Sequence, residues 1–548
     1  MSIAKELQKV TSGILDRSFG IPLAAEDIPV NDTKPEFEGD YTLVLFGLTK
    51  MLKRNPETLG KELGEALLAD SSGLVSQYNL IKGFLNVTIA EKVLKTFLLK
   101  EFRNSHYGQL PPRQQKVMVE YSSPNTNKPL HLGHLRNNFL GWSIAALYKQ
   151  NGYEVIKTAI ANDRGIHICK SMIAWKLLAG GATPQSTGQK GDHLVGDYYV
   201  RFGIEHKKQV EELMATGLSK EEAEKEAPIM KAAQQMLVDW EAGKPEVIEL
   251  WKMMNAWVYD GFAVTYARIG SDFDKTYYES ETYLLGKEMV EKGLKKGVFT
   301  QDEDGSVWID LTQDGLDRKI VRRKDGTAVY ITQDIGLAER KQKEFGADLS
   351  IYVVGDEQNY HFKVLKLICN KLGLPSAEGI FHLSYGMVEL PSGRMKTREG
   401  TVVDADDIVD EMESIAAQHT EALGKVKDFS ESELKQLYHT LGLGALKFFL
   451  LRVDPKKRMI FNPEESIDFH GFTGPFVQYT YARIRSILRK ATAAGVDTTV
   501  PLAPLERNLI RELEKYPQRI EEACQEMNPS VIANYLFHLA KSFNNFYA

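Results

Sequence analysis

The stretch from residue 116 to about residue 161 constrains the fold more than any other part of the chain. The segment KVMVEY is an apolar, strand-like run, a helical pattern extends from about Gly133 to Gln150, and YEVIKTAI is a second strand-like run. A strand, a helix and a second strand in this order predict a βαβ unit, in which the two strands lie parallel in one sheet. The sequence therefore predicts an α/β fold built on a parallel sheet.

The same alternation returns after residue 317. LSIYVVG and IFHLSYGMVEL are strand-like, TAVYITQ predicts a further strand, and DIGLAERKQKEFG and YHFKVLKLICNKLG have helical patterns. Long polar helices dominate the chain between the two halves. We therefore expect a doubly wound, Rossmann-like parallel sheet with a helical insertion at about residues 166–317.

Three domains are expected from these patterns. Residues 1–110 predict a small α+β domain, in which LIKGFLNVTIA alternates as a strand. Residues 111–404 form the Rossmann-like domain with its insertion, and residues 405–548 predict an all-α bundle.

Composition excludes several classes of protein. The chain of 548 residues has 26% charged residues and a net charge of −6, so it lacks the bulk basicity of many nucleic-acid-binding proteins, although a local basic surface stays possible. Its three cysteines are far apart, which argues against structural zinc and a disulfide framework and favours a reducing, cytoplasmic setting. The N-terminal segment lacks the apolar region of a signal peptide, and no apolar run is long enough to span a bilayer.

The loop SSPNTNKPLHLGH, residues 122–134, follows the first strand at the edge where open α/β sheets bind ligands. His131 and His134 begin the next helix and share one face beside backbone N–H groups that are expected to be free. Gly133 is expected to let a ligand approach the backbone. This combination suits the phosphates of a nucleotide. A proline-rich turn with two surface histidines is the alternative, and zinc ligation is disfavoured because no carboxylate or cysteine has a supporting spacing.

The segment HLGH resembles the HIGH motif of class I aminoacyl-tRNA synthetases, and VEYSSPNTNKPLHLGHLRNNFLG is similar to the form of that motif in arginyl-tRNA synthetases. The resemblance continues through AVYITQDIGLAER, GMVELPSGRMKTREGTVVD and FTGPFVQYTYARI. It implies an arginine–tRNA ligase, which activates L-arginine with ATP to arginyl-adenylate and transfers it to arginine tRNA. It also implies that Mg²⁺ binds with ATP, without assigned protein ligands, and that the protein is a cytoplasmic monomer with no membrane partner. A helical anticodon-binding domain is expected at the C-terminus, and by comparison with relatives it is expected to be incomplete at its C-terminal end.

The resemblance also identifies a second ATP-binding loop. SGRMKTREG, residues 392–400, matches the lysine-bearing KMSKS loop but has Thr397 where that motif has its second lysine. Lys396 and Arg398 bring positive charge to the loop, and arginyl enzymes of this kind carry a lysine just before HIGH instead. We therefore predict that Lys128 supplies the missing charge, with His131 and His134 contacting the phosphates and the transition state.

The substrate-binding residues are implied by the same resemblance. The residues implied to bind ATP are His131, Gly133, His134, His361, Met387 and Val388. The residues implied to bind arginine are Glu120, Asn125, Tyr330, Asp334 and Gln358. Planar carboxylates can match a guanidinium and reject lysine. Glu120 and Asp334 both fall at the carboxyl ends of predicted strands, where they would converge, although either could instead form a surface salt bridge or a helix cap.

Contacts with tRNA are implied for the N-terminal domain, at the tRNA elbow, and for the helix that opens the C-terminal bundle. On this helix aromatic and basic residues alternate, a composition that suits stacking on bases and neutralising phosphates. The residues are Gln478, Tyr479, Tyr481, Arg483 and Arg485. The alternative for the two tyrosines is ordinary half-buried core, as it is for Met387 and Val388.

Three competing functions stay open at this point. A different class I synthetase would lack YITQD together with VEYSSPN, and a small-molecule nucleotidyltransferase would be shorter and lack the helical bundle. A tRNA-binding paralogue that has lost catalysis is suggested by the altered RMKTREG loop.

Overall fold

The chain forms a four-stranded N-terminal sheet, a five-stranded central sheet, two smaller sheets and many helices. The computed structural model describes residues 2–327, 329–391, 403–422, 424, 426, 428–491 and 499–548. The strands are β1 (Val30–Asp32), β2 (Tyr41–Val44), β3 (Val75–Ile81), β4 (Phe84–Ile89), β5 (Lys116–Glu120), β6 (Glu154–Ala161), β7 (Lys275–Tyr278), β8 (Thr300–Gln301), β9 (Val307–Ile309), β10 (Lys319–Arg322), β11 (Leu349–Gly355), β12 (Ile380–Tyr385), β13 (Val388–Glu389) and β14 (Met459–Ile460).

The helices lie between and after these strands. They are α1 (Ile3–Phe19), α2 (Phe46–Leu52), α3 (Pro56–Ala69), α4 (Glu91–Glu101), α5 (Leu132–Gln150), α6 (Ile166–Leu178), α7 (Pro184–Thr187), α8 (Gly191–Ala215), α9 (Lys220–Glu226), α10 (Pro228–Glu241), α11 (Pro245–Ile269), α12 (Glu279–Thr282), α13 (Leu285–Lys295), α14 (Tyr330–Phe345), α15 (Asn359–Lys371), α16 (Ala405–Ala422), α17 (Glu431–Leu451), α18 (Pro463–Ser466), α19 (Gly474–Lys490), α20 (Pro504–Glu514), α21 (Tyr516–Gln525) and α22 (Ser530–Tyr547). Within the described ranges, every helix is too short or too polar to span a bilayer.

The central sheet has the strand order β12-β11-β5-β6-β7, and every neighbouring pair is parallel. From β5 the chain moves outward through β6 and β7 and then returns to the other side of β5 through β11 and β12. The point where the direction reverses lies beside the carboxyl end of β5, which is where open α/β sheets bind ligands. The predicted doubly wound parallel sheet is confirmed.

Two predicted strands are wrong in detail. TAVYITQ does not form a strand, because the chain enters α14 at Tyr330 and buries Ile331, Ile335 and Ala338 along one helical face. LIKGFLNVTIA belongs to a hairpin of β3 and β4. Its turn has positive φ values of 47° at Lys82 and 83° at Gly83, as a two-residue hairpin turn requires.

The insertion is helical from α6 to α11 and leaves the sheet after β6. It ends earlier than expected, because the chain rejoins the central sheet as β7 rather than after residue 317. Its core includes Met172, Phe202, Trp240 and Val258.

The chain divides into two compact units. One comprises Met1–Gln109, Tyr479–Glu522 and Asn534–Ala548, and the other comprises Leu110–Gln478 and Ala523–Ala533. This division differs from the expected boundary at residue 404, because α16 and α17 pack against α5 within the second unit. The three-domain boundaries therefore stay a prediction.

The first unit joins the N-terminal sheet to helices from the end of the chain. Its antiparallel sheet has the order β1-β2-β4-β3, and its core includes Leu7, Leu43, Leu59 and Leu85. The buried carboxylate of Glu514 on α20 accepts hydrogen bonds from the Tyr41 hydroxyl, at 2.9 Å, and from the backbone N–H of Ile3.

Candidate active site

The HLGH segment lies at the carboxyl edge of β5, at the N-terminus of α5. His131 is the N-cap of the helix, and its Nδ1 accepts a hydrogen bond from the Gly133 N–H at 3.1 Å. In return, Nδ1 of His134 accepts from the His131 N–H at 3.1 Å. The two imidazole rings therefore cap the helix reciprocally, and their centroids are 3.9 Å apart.

The expectation of free backbone N–H groups at this helix is wrong. The N–H groups of Gly133 and His131 bond the two imidazoles, the Leu132 N–H bonds the Val403 carbonyl at 3.4 Å, and the His134 N–H bonds the His131 carbonyl at 2.7 Å. A Cβ atom at Gly133 would lie 3.0 Å from Cε1 of His131, so this glycine makes room for the histidine ring. These four N–H groups are therefore used within the fold.

Both histidines are neutral near pH 7. Burial and the nearby charge of Lys128 lower the pKa of His131 to about 4, and burial with the neighbouring His131 holds the pKa of His134 well below its usual range. Because each Nδ1 accepts a hydrogen bond from a backbone N–H, the proton of each neutral ring lies on Nε2. Each ring thus offers one Nε2–H donor to a ligand.

Lys128 adds the positive charge in this part of the site. It is half-buried, burial lowers its pKa, and with His193 and Asp404 it lines a cavity of about 270 Å³. Of the predicted basic residues, Lys396 and Arg398 lie outside the residues that the structure describes.

The segment that follows the second loop, from residue 403 to residue 405, is hydrogen-bonded to the HLGH segment. His131 and Asp404 form an antiparallel β-bridge, and the Ala405 N–H bonds the Leu130 carbonyl at 2.9 Å. The start of α16 and the first motif therefore form one local structure.

Side chains from the insertion hold the start of α16. Nε2 of His193 lies 3.2 Å from the Asp404 carboxylate and 3.4 Å from that of Asp406, and Nζ of Lys190 lies 2.5 Å from Asp406. His193, Asp404 and Asp406 have ligand atoms close enough to hold a metal ion. Lys190 and the imidazole already supply positive charge there, so the cluster is balanced by protein groups.

The chain turns sharply between the end of β5 and HLGH. Ser122 has a φ of 64°, in the left-handed region, and is buried. Its N–H bonds Oδ1 of Asn137 and its hydroxyl bonds that of Tyr266, both at 2.6 Å. These bonds fix an unfavourable backbone conformation, which is typical of functional sites. Beyond the turn, Asn125 is exposed and forms a parallel bridge with Asn162.

Glu120 lies at the carboxyl end of β5, as predicted, but its carboxylate already has a partner. It forms an ion pair with the buried Nζ of Lys341 on α14. Lys341 Nζ also lies 5.0 Å from the ring centroid of Tyr352 and 5.4 Å from that of Tyr277. Glu120 is 8% exposed, so only part of it faces the crevice.

Asp334 lies in helix α14, and its predicted place at a strand end is wrong. Tyr330 starts this helix, is 71% exposed and shares a face with Asp334 one turn later. The Asp334 carboxylate is 2.6 Å from Nε2 of His361 on α15. Gln358, exposed, ends the short helical turn that precedes α15. The structure thus brings Asp334 and His361 into direct contact.

A cavity of about 780 Å³ adjoins this group. Tyr330, Arg164 and Glu279 line it, and the Arg164 guanidinium lies 4.0 Å from the ring centroid of Tyr283. Burial raises the pKa of Glu279 to about 7, and the charges of Asp163 and Asp334 act in the same direction. A cavity lined by both acidic and basic groups suits a zwitterionic amino acid.

Met387 and Val388 lie where the chain passes from β12 to β13. The Val388 side chain is 3% exposed and belongs to the core, which agrees with the alternative that this residue is an ordinary core residue. The sulfur of Met387 lies 3.9 Å from where a Cβ of Gly355 would be, at the carboxyl end of β11. Met387 is thus the member of this pair that reaches the carboxyl edge of the sheet.

The five residues predicted to contact tRNA lie on α19 but differ in exposure. Gln478 donates to the Thr440 carbonyl at 2.9 Å and packs against α17, so its amide is used within the fold. The Arg483 guanidinium lies 5.0 Å from the ring centroid of half-buried Tyr479 and bonds Asn544. Tyr481, 63% exposed, and Arg485, also exposed, are one turn apart on the same face.

Comparison with known proteins assigns the family. The model described as "tRNA synthetases class I (R), catalytic domain" matches residues 97–462, and "Arginyl tRNA synthetase N terminal domain" matches residues 1–89. The chain belongs to the arginyl-tRNA synthetases. Residues 477–548 of this family member match "DALR anticodon binding domain".

Relatives match this arginyl-tRNA synthetase over most of their length. The "Arginine--tRNA ligase" of Flavobacterium psychrophilum is 55% identical over 540 residues, which cover 96% of this chain and 90% of the relative. That of Porphyromonas gingivalis is 51% identical and covers 100% and 93%. The solved structure of Thermus thermophilus arginyl-tRNA synthetase is 25% identical with a TM-score of 0.78, covering 99% of this chain and 91% of that one.

Several residues of this synthetase site were missed by the sequence analysis. They are Arg136, Arg164, Lys190, His193, Glu279, Lys341, Asp404 and Asp406. Most of them contact a partner far away in the sequence, and for all but one of them local patterns carry no sign of it. Only Arg136 had a local signal, because a charged residue on the buried face of a helix needs an explanation.

Proposed function

We infer that this chain is an arginine–tRNA ligase that works as a monomer in the cytoplasm. In the first step, a carboxylate oxygen of L-arginine attacks the α-phosphorus of ATP, the bond to the bridging oxygen breaks, and pyrophosphate leaves. In the second step, a hydroxyl of the terminal ribose of arginine tRNA attacks the arginyl carbonyl and AMP leaves. The observation that carries this proposal is the pair of capped, neutral imidazoles at the carboxyl edge of β5.

The charge at the α-phosphate is stabilised by side chains rather than by helix N–H groups. The Nε2–H groups of His131 and His134 donate to phosphate oxygens, and Lys128 supplies a full positive charge beside them. Lys396 and Arg398 stay proposed contributors from the second loop. Mg²⁺ bound with ATP would neutralise part of the phosphate charge, and no protein ligands are assigned to it. The chemistry then rests on positioning and electrostatics, without a covalent enzyme intermediate.

Arginine is proposed to bind between β5, α14 and α15. Asp334 accepts from the guanidinium, Tyr330 covers it, and Asn125 and Gln358 hold the α-groups. Glu120 contributes acceptor oxygens while Lys341 balances its charge. A planar, forked guanidinium can satisfy several acceptors at once, whereas the ammonium of lysine cannot match the same geometry. His361, bonded to Asp334, would then lie between the arginine and ATP sites.

The names of the relatives support the ligase over the paralogue that has lost catalysis. The decisive experiment is charging of arginine tRNA with labelled arginine by the purified chain, with labelled lysine and labelled citrulline as controls. Acid-precipitable label with arginine alone supports the proposal. Binding of tRNA without charging would overturn it.

A further inference from the structure

Arg136 is an unusual residue for the interior of this fold. It follows HLGHL on α5, is 1% exposed, and its guanidinium donates to four backbone carbonyls. Nη1 lies 2.5 Å from the Gly386 oxygen and 3.2 Å from that of Met387, and Nη2 lies 3.3 Å from the Pro455 oxygen and 2.9 Å from that of Lys457.

A buried arginine needs compensation for the loss of its hydration. Within the described residues, Arg136 has no carboxylate among its hydrogen-bond partners, and the four carbonyls provide the compensation. Five N–H donors in a rigid plane allow one guanidinium to serve two separate chain segments. The ammonium of a lysine is a single point and could not hold both segments in the same way.

The four carbonyls belong to two segments that are also bonded to each other. The Gly386 N–H bonds the Pro455 carbonyl at 2.9 Å, and the Met459 N–H bonds the Met387 carbonyl at 3.1 Å. A Cβ atom at Gly386 would lie 2.6 Å from the Lys457 backbone, so only glycine permits this approach. Arg136 thus ties this paired backbone to α5, the helix that carries HLGH.

We propose that Arg136 is a positioning residue that fixes the distance between the base and the phosphates of ATP. This inference rests on the proposed function, in which HLGH contacts the phosphates, and on one further step, that Met387, which reaches the carboxyl edge of the sheet, contacts the base. ATP spans both places, so its affinity depends on their separation. Arg136 is five residues beyond His131, about 7.5 Å along the helix, and holds the Gly386–Met387 backbone directly. Arginine binds elsewhere and does not depend on this distance.

The test compares Arg136→Lys and Arg136→Gln with wild type in ATP–pyrophosphate exchange in the presence of arginine tRNA. We expect the KM for ATP to rise about tenfold or more, because a displacement of about 1 Å at a reacting site is costly, while the KM for arginine changes by less than about twofold. Equilibrium dialysis of ATP alone should show the same loss of affinity. The matched control is Asn151→Ala at the other end of α5, which removes a side-chain bond to Leu147 and should leave both KM values unchanged.

Equal rises in both KM values, or a lower melting temperature with unchanged ATP affinity, would overturn the proposal and leave Arg136 as a structural residue. If neither variant folds, Gly386→Ala decides, because it separates the same backbone segments with Arg136 intact. Unchanged ATP affinity in that variant would also overturn the proposal. Equilibrium dialysis separates a failure of this proposal from a failure of the proposed function, because it measures ATP binding without exchange. If the chain has no exchange activity but binds ATP as proposed, the Arg136 variants should still lose ATP affinity.

Discussion

At the scale of single residues, each histidine of HLGH uses its two ring nitrogens for different tasks. Nδ1 completes the helix cap and Nε2–H remains for a ligand. Because both rings are neutral, neither can supply the full positive charge that the phosphates of ATP demand. Lys128 is the nearby described residue that can, and its charge is one of the causes that lower the pKa of both histidines.

Replacing Lys128 by alanine should therefore impair catalysis. We expect kcat for ATP–pyrophosphate exchange to fall about a hundredfold, the usual effect of removing one charged or donor group from an oxyanion-type site. Lys149→Ala, on the exposed last turn of α5, is the control and should leave kcat unchanged. If the Lys128 variant retains wild-type turnover, this lysine does not replace the missing lysine of the second loop.

At the scale of elements, the start of α16 is held to α8 of the insertion by a titratable contact. The adjacent carboxylates of Asp404 and Asp406 raise the pKa of His193 to about 10, from an ordinary value near 6.5. Although burial raises it, the adjacent His193 and the hydrogen bond from Lys190 hold the pKa of Asp406 below its usual range. Between pH 6.5 and 10 the folded chain binds a proton that the unfolded chain has released.

This contact should make stability depend on pH. The stabilisation from His193 is complete below about pH 6.5 and is lost as the pH rises towards 10, because folding then has to take up a proton. The free energy of unfolding, measured with urea at pH 6 and pH 9, should fall more in wild type than in His193→Gln. The slopes of this free energy against pH should differ by up to about one bound proton. His206→Gln on the same helix is the control. Parallel pH profiles for wild type and His193→Gln would contradict the contact.

Helix α19 carries both residues that bond within the fold, such as Gln478, and exposed residues, such as Tyr481 and Arg485. Tyr481→Ala and Arg485→Ala should each weaken binding of arginine tRNA by about tenfold, since stacking on a base contributes roughly 1–3 kcal/mol. Gln478→Ala should instead lower the melting temperature, because its amide bonds Thr440. Filter binding and thermal unfolding measured on all three variants test this division. A loss of tRNA binding confined to Gln478→Ala would reverse the assignment.

The sequence predicted elements well where the local pattern and the tertiary contacts agree. The segment from β5 through α5 to β6 was predicted because an apolar strand-like run, a long helical pattern and a second strand-like run follow one another in the order of a βαβ unit. TAVYITQ was mistaken because its β-branched residues favour a strand, whereas the packing of Ile331 and Ile335 favours a helix. The partner of Glu120 is Lys341, 221 residues later, and no local pattern can reveal such a pair.

At the scale of the whole molecule, the first compact unit depends on ion pairs between sequence-distant segments. Asp40 is 4% exposed, its carboxylate bonds the Ile89 N–H at 2.7 Å, and it forms ion pairs with Arg507 and Arg511 on α20. Asp40→Ala should lower the free energy of unfolding by about 3 kcal/mol, because it leaves two partly buried guanidinium groups without their partner.

Asp27→Ala, at an exposed position in the same unit, is the control and should change the free energy of unfolding by less than about 0.5 kcal/mol. Urea denaturation of both variants provides the comparison. Equal stability of Asp40→Ala and wild type would mean that these ion pairs contribute nothing to holding α20 within the unit.

The most direct measurement of function is arginine-dependent ATP–pyrophosphate exchange by the 548-residue chain, with and without arginine tRNA. We expect exchange with arginine when tRNA is present, and none with lysine or citrulline, because the crevice at β5 activates a guanidinium-bearing amino acid with ATP. Absence of exchange under every condition, or exchange supported equally by lysine, would contradict an arginine-activating site built on HLGH.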